Sequence, residues 1–279
     1  MQCDLDSATI DYEERGEGRP IVLLHGWSMD RRLEIDAYEP IFAARGGWRR
    51  IYPDLPGMGQ SIAKRIDNQD DMLAALLAFI DRVLPGEHFV LSGTSGGGYL
   101  ARAIAARRRA QVSGLLLRVP AIIADTAKRT LPTFRPLVAN EALLASLDAQ
   151  EREALGELLV QAPGWLEARR RQVRELVQPA IAANAPFVAE MRADPSRYSL
   201  SFDLAAAEQG FDKPTLIVAA RQDTVTGYRD AWDILESYPR ATFAVVDRAT
   251  HGWPLESSRL LEALVDDWLA RILLAEGHQ

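Results

Sequence analysis

Ser95 lies in Gly93-Thr94-Ser95-Gly96-Gly97, directly after the apolar run Phe89-Val90-Leu91 and before the small-residue stretch Tyr99 to Ala106. That succession reads as strand, tight turn and helix. A hydroxyl at the tip of such a turn stands clear of its neighbours. Residues two positions away must be small, because strand and helix nearly touch there, and Gly93 and Gly97 meet that need. The start of the helix turns free N–H groups and its positive dipole end toward the same point. The chemistry predicted is nucleophilic attack by Ser95. A serine hydroxyl is a weak nucleophile near neutral pH, so it needs a base within hydrogen-bond reach and a group that orients the base.

The chain has four histidines, His25, His88, His251 and His278. His278 falls in the terminal tail, and His88 precedes the serine strand, which places it at the opposite end of a sheet. His25 is in a His-Gly turn and reads as a residue that hydrogen-bonds backbone. His251 follows the strand-like run Ala241 to Val246, so it shares a sheet edge with Ser95 and is the predicted base. Asp223 follows another apolar run, Leu216 to Ala220, and is the predicted orienting acid. Asp125 is a rival, since it follows the run at 112–119; Asp223 preserves the order Ser, Asp, His.

Attack on a carbonyl creates an oxyanion that needs two N–H donors. The backbone of Gly96, the residue after the nucleophile, supplies one, and Trp27, in the loop after Ile21-Val22-Leu23-Leu24, is the expected second. Gly59-Gln60-Ser61-Ile62-Ala63 resembles the serine turn, but alanine replaces the second glycine and no strand immediately precedes it. Ser61 and Asp54 are read as turn-stabilising residues.

These residues need a scaffold. Apolar runs at 8–15, 21–24, 50–53, 89–91, 112–119, 215–220 and 241–246 read as strands. Helical spacing appears at 37–44, 70–84, 228–235 and 254–274. Strands alternating with helices predict an α/β fold, a mostly parallel sheet with helices on both faces. From 120 to 210 the rhythm stops. Proline-punctuated helices are expected there at 140–148, 150–161, 164–178 and 180–192. Residues 1–119 and 211–279 are therefore read as one core, with 120–210 as an inserted helical cap.

With 32 Lys and Arg against 39 Asp and Glu, the net charge is −7, which disfavours nucleic acid or an anionic membrane surface as partner. The single cysteine, Cys3, cannot form an internal disulfide. The acidic N-terminus lacks the apolar core of a secretory signal, and no apolar run has the length of a membrane span. A cytoplasmic location is expected, with a small-molecule partner, no metal and no cofactor. The composition leaves monomer and homodimer both open.

Four marks occur in order: His25-Gly26-Trp27, Asp54-x-Pro56-Gly57-x-Gly59-x-Ser61, Gly93-x-Ser95-x-Gly97, and Asp223 with His251. Over residues 8–274 the chain resembles the cap-bearing α/β-hydrolase superfamily. The resemblance implies an eight-stranded sheet, a helical cap over the site, a Ser95-His251-Asp223 triad, and Trp27 and Gly96 as oxyanion donors. It departs from the common pattern at Thr94, often His or Tyr, and at Gly96, often bulky. The Gly96-Gly97-Gly98 run removes side chains beside the serine, which predicts a looser oxyanion donor. Serine at 95 argues against haloalkane dehalogenases and epoxide hydrolases among the relatives.

The expected function is hydrolysis of an ester, lactone or thioester through an acyl-enzyme. Carbon–carbon bond hydrolysis, cofactor-free perhydrolysis and a non-catalytic ligand-binding role are the alternatives. Tyr228 and Trp253 are expected in the substrate pocket, with Phe134, Trp165, Phe187, Tyr198 and Phe202 available from the cap. Arg169-Arg170-Arg171 is read as a solvated helix face.

Overall fold

A computed structural model describes residues 1–252 and 258–277. Among these, nine strands form one sheet: β1 (Gln2–Asp4), β2 (Ala8–Arg15), β3 (Arg19–Leu24), β4 (Trp48–Pro53), β5 (Ile62–Ala63), β6 (Phe89–Thr94), β7 (Val112–Arg118), β8 (Thr215–Ala220) and β9 (Ala241–Val246). Eight follow the order β1-β2-β4-β3-β6-β7-β8-β9, which matches the expected eight-stranded sheet; the ninth, β5, pairs off this path with β2. Strands β1 and β5 escaped the sequence reading because three and two residues are too few for a periodic pattern. Pairing is parallel from β4 through β9 and antiparallel around β2.

The continuous apolar runs follow from burial on both faces. Val22, Leu24, Leu91, Leu115, Leu117 and Ile217 point to one side, where α2 (Gln69–Val83) and α3 (Gly96–Arg107) pack. Ile21, Leu23, Val90, Leu116, Leu216 and Val218 point to the other, against α1 (Arg31–Phe42) and α10 (Ser258–Ala275). Successive strand residues alternate between two cores, as the two-residue side-chain period requires. The first helix begins earlier than the expected 37–44, because Asp30 caps it by accepting the Arg32 N–H.

Residues 120–210 contain α4 (Glu141–Ala145), α5 (Ala149–Leu155), α6 (Pro163–Gln172), α7 (Gln178–Arg192) and α8 (Leu204–Ala207), with one isolated parallel bridge between Val138 and Val160. Leu147, Leu155, Leu158, Leu166 and Val173 form a small core of their own. The five residues Val173–Val177 are π-helical and join α6 to α7, so two expected helices are continuous. Pro179 explains the widened turn. It lacks the N–H that would reach the Glu175 carbonyl, and Arg32 Nη1 approaches that oxygen at 3.4 Å instead. One short helix, α9 (Arg229–Asp233), lies between β8 and β9. No described helix is long and apolar enough to cross a membrane.

Candidate active site

Ser95 sits between β6 and α3 with φ 53° and ψ −119°, a conformation that side chains rarely adopt. Three non-glycine residues in the described chain have positive φ: Ser95, Ser28 at 68° and Val119 at 40°. Ser28 follows Trp27 in the loop after β3, and Val119 follows β7. All three lie around the serine, which concentrates backbone strain at one place.

The glycines flanking Ser95 have the predicted reason. A Cβ on Gly97 would stand 2.3 Å from the His25 carbonyl oxygen and 2.6 Å from that of Leu24; one on Gly93 would stand 2.4 Å from the Gly97 oxygen. Backbone cannot retreat from such contacts cheaply. Gly97→Ala is therefore expected to destabilise the fold by about 3 kcal/mol or more. Gly46→Ala is the control, since a Cβ there meets nothing within 4 Å. Urea midpoints of the two variants check the contrast.

The expected looseness at Gly96 is corrected by its surroundings. A Cβ at 96 would meet Trp27 Cβ at 3.0 Å, and one at 98 would meet Pro120 Cβ at 2.9 Å. Neighbouring loops fill the space that the missing side chains leave. The same Gly96 Cβ would lie 3.3 Å from the Trp27 backbone nitrogen, so the two sequence-predicted oxyanion residues face each other. Neither backbone N–H donates to another described residue.

His251 Nε2 stands 3.0 Å from Ser95 Oγ, and His251 Nδ1 stands 2.9 Å from Asp223 Oδ2. The carboxylate can only accept, so Nδ1 carries the proton and Nε2 is free to accept from the serine hydroxyl. Asp223 is fully buried, while the His251 side chain is 26% exposed. Burial by itself would raise the Asp223 carboxyl, but His251 and Thr226 together hold it below the usual carboxylate range. Oδ1 accepts the Val225 and Thr226 N–H groups at 2.8 and 2.9 Å, and Oδ2 accepts the Thr226 hydroxyl at 2.7 Å. Thr226 is a site residue that sequence reasoning missed. Its signal was a hydroxyl three residues beyond an aspartate in a turn.

The remaining candidates fall where their bland readings put them. His25 is fully buried; Nε2 accepts the Leu55 N–H at 2.9 Å, and Nδ1 donates to the Gly26 carbonyl at 2.8 Å. Asp54 accepts from the Arg31 and Gln60 backbones, and the Ser61 hydroxyl donates to the Asp54 carbonyl. Asp125 caps a short 3-10 turn, and His88 lines a hollow beside Arg19 and Val112, at the far end of the sheet.

A cavity of about 380 Å³ opens over Ser95 and His251. Met29, Leu33, Ala37, Val177 and Val225 give it apolar walls, and Glu34, Arg118 and Arg169 add charge. Tyr228 is absent from this wall. It lines a separate hollow with Trp232 and Phe243, and Arg221 donates to its hydroxyl. The Asp223–Thr226 turn presents Thr224 and Val225 to the cavity and carries the chain past it before residue 228. Trp253 and His278 lie outside the described residues. None of the five aromatics expected from residues 120–210 lines the cavity; Tyr198 meets the Trp27 ring edge-on at 4.8 Å, and Phe187 lies 6.3 Å from it. Of the run read as a solvated helix face, Arg171 is exposed, while Arg169 is half-buried. Its Nε donates to the Leu155 carbonyl, and its Nη1 donates to Gln172 at the cavity wall.

Sequence reasoning also missed Glu34 and Arg118, which are 1% and 4% exposed and pair at 2.8 Å. The signal was present in α1. Glu34 shares a helical face with Ala37, Tyr38 and Ile41, so a carboxylate occupies a core position.

A serine on a strained strand-to-helix turn, joined through histidine to a buried aspartate, defines a serine-type hydrolase on a parallel α/β sheet. The chain belongs to the α/β hydrolase fold family, whose model matches residues 19–256. Among curated relatives it is 25% identical to the pimeloyl-[acyl-carrier protein] methyl ester esterase of Nitrosomonas europaea, across 88% of this chain and 93% of that one. It is 32% identical to the AB hydrolase superfamily protein YisY of Bacillus subtilis, over 46% of this chain and 47% of that protein. Among solved structures, an alpha/beta superfamily hydrolase from Oenococcus oeni superposes with a TM-score of 0.80 at 24% identity, covering 98% and 99% of the two chains.

Proposed function

We propose that this hydrolase cleaves a carboxylic ester, lactone or thioester of a small, partly apolar substrate through an acyl-enzyme on Ser95. His251 takes the serine proton as Ser95 Oγ attacks the carbonyl carbon. The Gly96 and Trp27 N–H groups receive the resulting oxyanion. Collapse of the tetrahedral species expels the alcohol or thiol, which His251 protonates. A water then enters, gives its proton to His251 and attacks the acyl carbon, and Ser95 leaves with that proton restored. Asp223 holds the imidazole in the accepting tautomer and stabilises its cation.

The observation that carries this reading is the 3.0 Å approach of His251 Nε2 to Ser95 Oγ, with Asp223 on the opposite nitrogen. The cavity's size and its mixture of apolar and charged walls support a compact substrate. The esterase names of the curated relatives support an ester bond as the target. A fluorophosphonate probe tests the reading. It is expected to add its phosphonyl group to the Ser95 peptide, and a nitrophenyl ester series is expected to turn over best at short acyl chains. Folded protein that neither takes the label nor hydrolyses any ester in the series would leave a ligand-binding role in its place.

A further inference from the structure

We propose that Thr94, Glu34 and Arg118 are positioning residues for the oxyanion site, holding the loop that carries Trp27 at a set distance from Ser95. The inference rests on the acyl-transfer reading above. The three residues come from three elements. Thr94 ends β6 immediately before the nucleophile, Glu34 lies one turn into α1, and Arg118 ends β7. Thr94 Oγ1 donates to Glu34 Oε2 at 3.0 Å, and Arg118 Nη2 donates to Glu34 Oε1 at 2.8 Å. The Arg118 carbonyl in turn accepts the Ser95 N–H at 3.0 Å. Glu34 is thus tied to the nucleophile twice, through its preceding side chain and through the partner of its own amide.

The other end of the device is the oxyanion loop. Residues 25–30 lead directly into α1, whose cap is Asp30. Trp27 in that loop faces Gly96. A shift of α1 along β6 would move the Trp27 N–H relative to Ser95. The Glu34 carboxylate opposes such a shift by holding α1 to the ends of both β6 and β7. Both charges are buried, with the Arg118 guanidinium 5.5 Å from the Tyr38 ring, where apolar side chains would fill the volume without desolvating two charges. Both charged residues border the cavity that holds the serine. A charge pair kept at that cost beside the reacting atoms fits a geometric duty. Misplacement of donors by a fraction of an ångström to an ångström costs up to about two orders of magnitude in rate.

The test is Thr94→Val, which keeps the side chain's shape, leaves the Glu34–Arg118 pair intact and deletes the hydroxyl. With active sites counted by fluorophosphonate titration, it is expected to lower kcat for a nitrophenyl ester about 10-fold and leave KM within about twofold. The affinity for a trifluoromethyl ketone, which forms a tetrahedral oxyanion on Ser95, is expected to fall by the same factor. Thr94→Ser is expected to restore both. Glu34→Gln would leave Arg118 buried without its counter-charge, so Thr94→Val carries the decision. A Thr94→Val enzyme with wild-type kcat and ketone affinity, whatever its melting temperature, overturns the proposal while leaving the hydrolase reading in place. Wild-type protein without ester turnover removes both.

Discussion

Ser95→Ala is expected to lower ester turnover by about four orders of magnitude or more while the protein keeps its fold. The size of the effect follows from what the hydroxyl does. In the proposed mechanism it forms the covalent bond, so without it a water must attack, with His251 as base, from a site shaped for a side chain. Binding and the oxyanion donors survive in the variant, which leaves a residual rate above that in water. Stability should change little. The Ser95 backbone, with its N–H on the Arg118 carbonyl and its carbonyl receiving the Gly98 and Ala121 N–H groups, is held independently of the hydroxyl. The φ of 53° remains strained for alanine as for serine. Steady-state kinetics with nitrophenyl acetate and a thermal melt check both parts. Turnover within tenfold of wild type would exclude Ser95 as the nucleophile.

Asp223→Asn is expected to cost about 10⁴-fold in kcat by reversing the imidazole tautomer. Oδ1 of Asp223 receives two backbone N–H groups, and Oδ2 receives the Thr226 hydroxyl and faces His251 Nδ1. Asparagine has one oxygen, and the two N–H donors of Val225 and Thr226 hold it in the Oδ1 position. Its amide NH2 then points at His251 Nδ1, which must accept. The ring proton moves to Nε2, and the nitrogen facing Ser95 can no longer take a proton. The Thr226 hydroxyl can turn to the Val119 carbonyl, 3.1 Å away, so the loop loses little. The wild-type carboxyl, held below its ordinary range, stays ionised at neutral and mildly acid pH. Its contribution to stability is complete above the unfolded carboxylate range and is lost only as pH falls through the lower folded value. The variant's kcat and its urea midpoint at neutral pH separate the catalytic loss from any loss of fold. A kcat within tenfold of wild type would exclude the tautomer role.

Two substitutions at one site thus act through different physics, and they differ in how far a linear reading could anticipate them. The elbow around Ser95 was legible because its cause is local. Two glycines two residues either side of a serine, between a strand and a helix, describe a steric demand complete within nine residues. The central strands were legible for a related reason, since burial on both faces leaves an uninterrupted apolar run. His251 and Asp223 followed from order alone, because parallel strands deliver the loops after them to one edge.

What order could not supply was direction. Asp223 curls back on Val225 and Thr226, and that turn sends Val225 into the cavity and Tyr228 away from it. A count of residues after a strand does not encode that choice, which depends on where the backbone finds its hydrogen bonds. The Glu34–Arg118 pair joins residues 84 positions apart, and only the stacking of α1 on the sheet brings them together. The amino-acid sequence by itself determined the sheet, the elbow and the identity of the three converging side chains, because those features arise from short-range sterics and burial periodicity. The tertiary structure alone decided which walls enclose the cavity and which buried charges pair beside it, because those depend on contacts between elements that no local pattern relates.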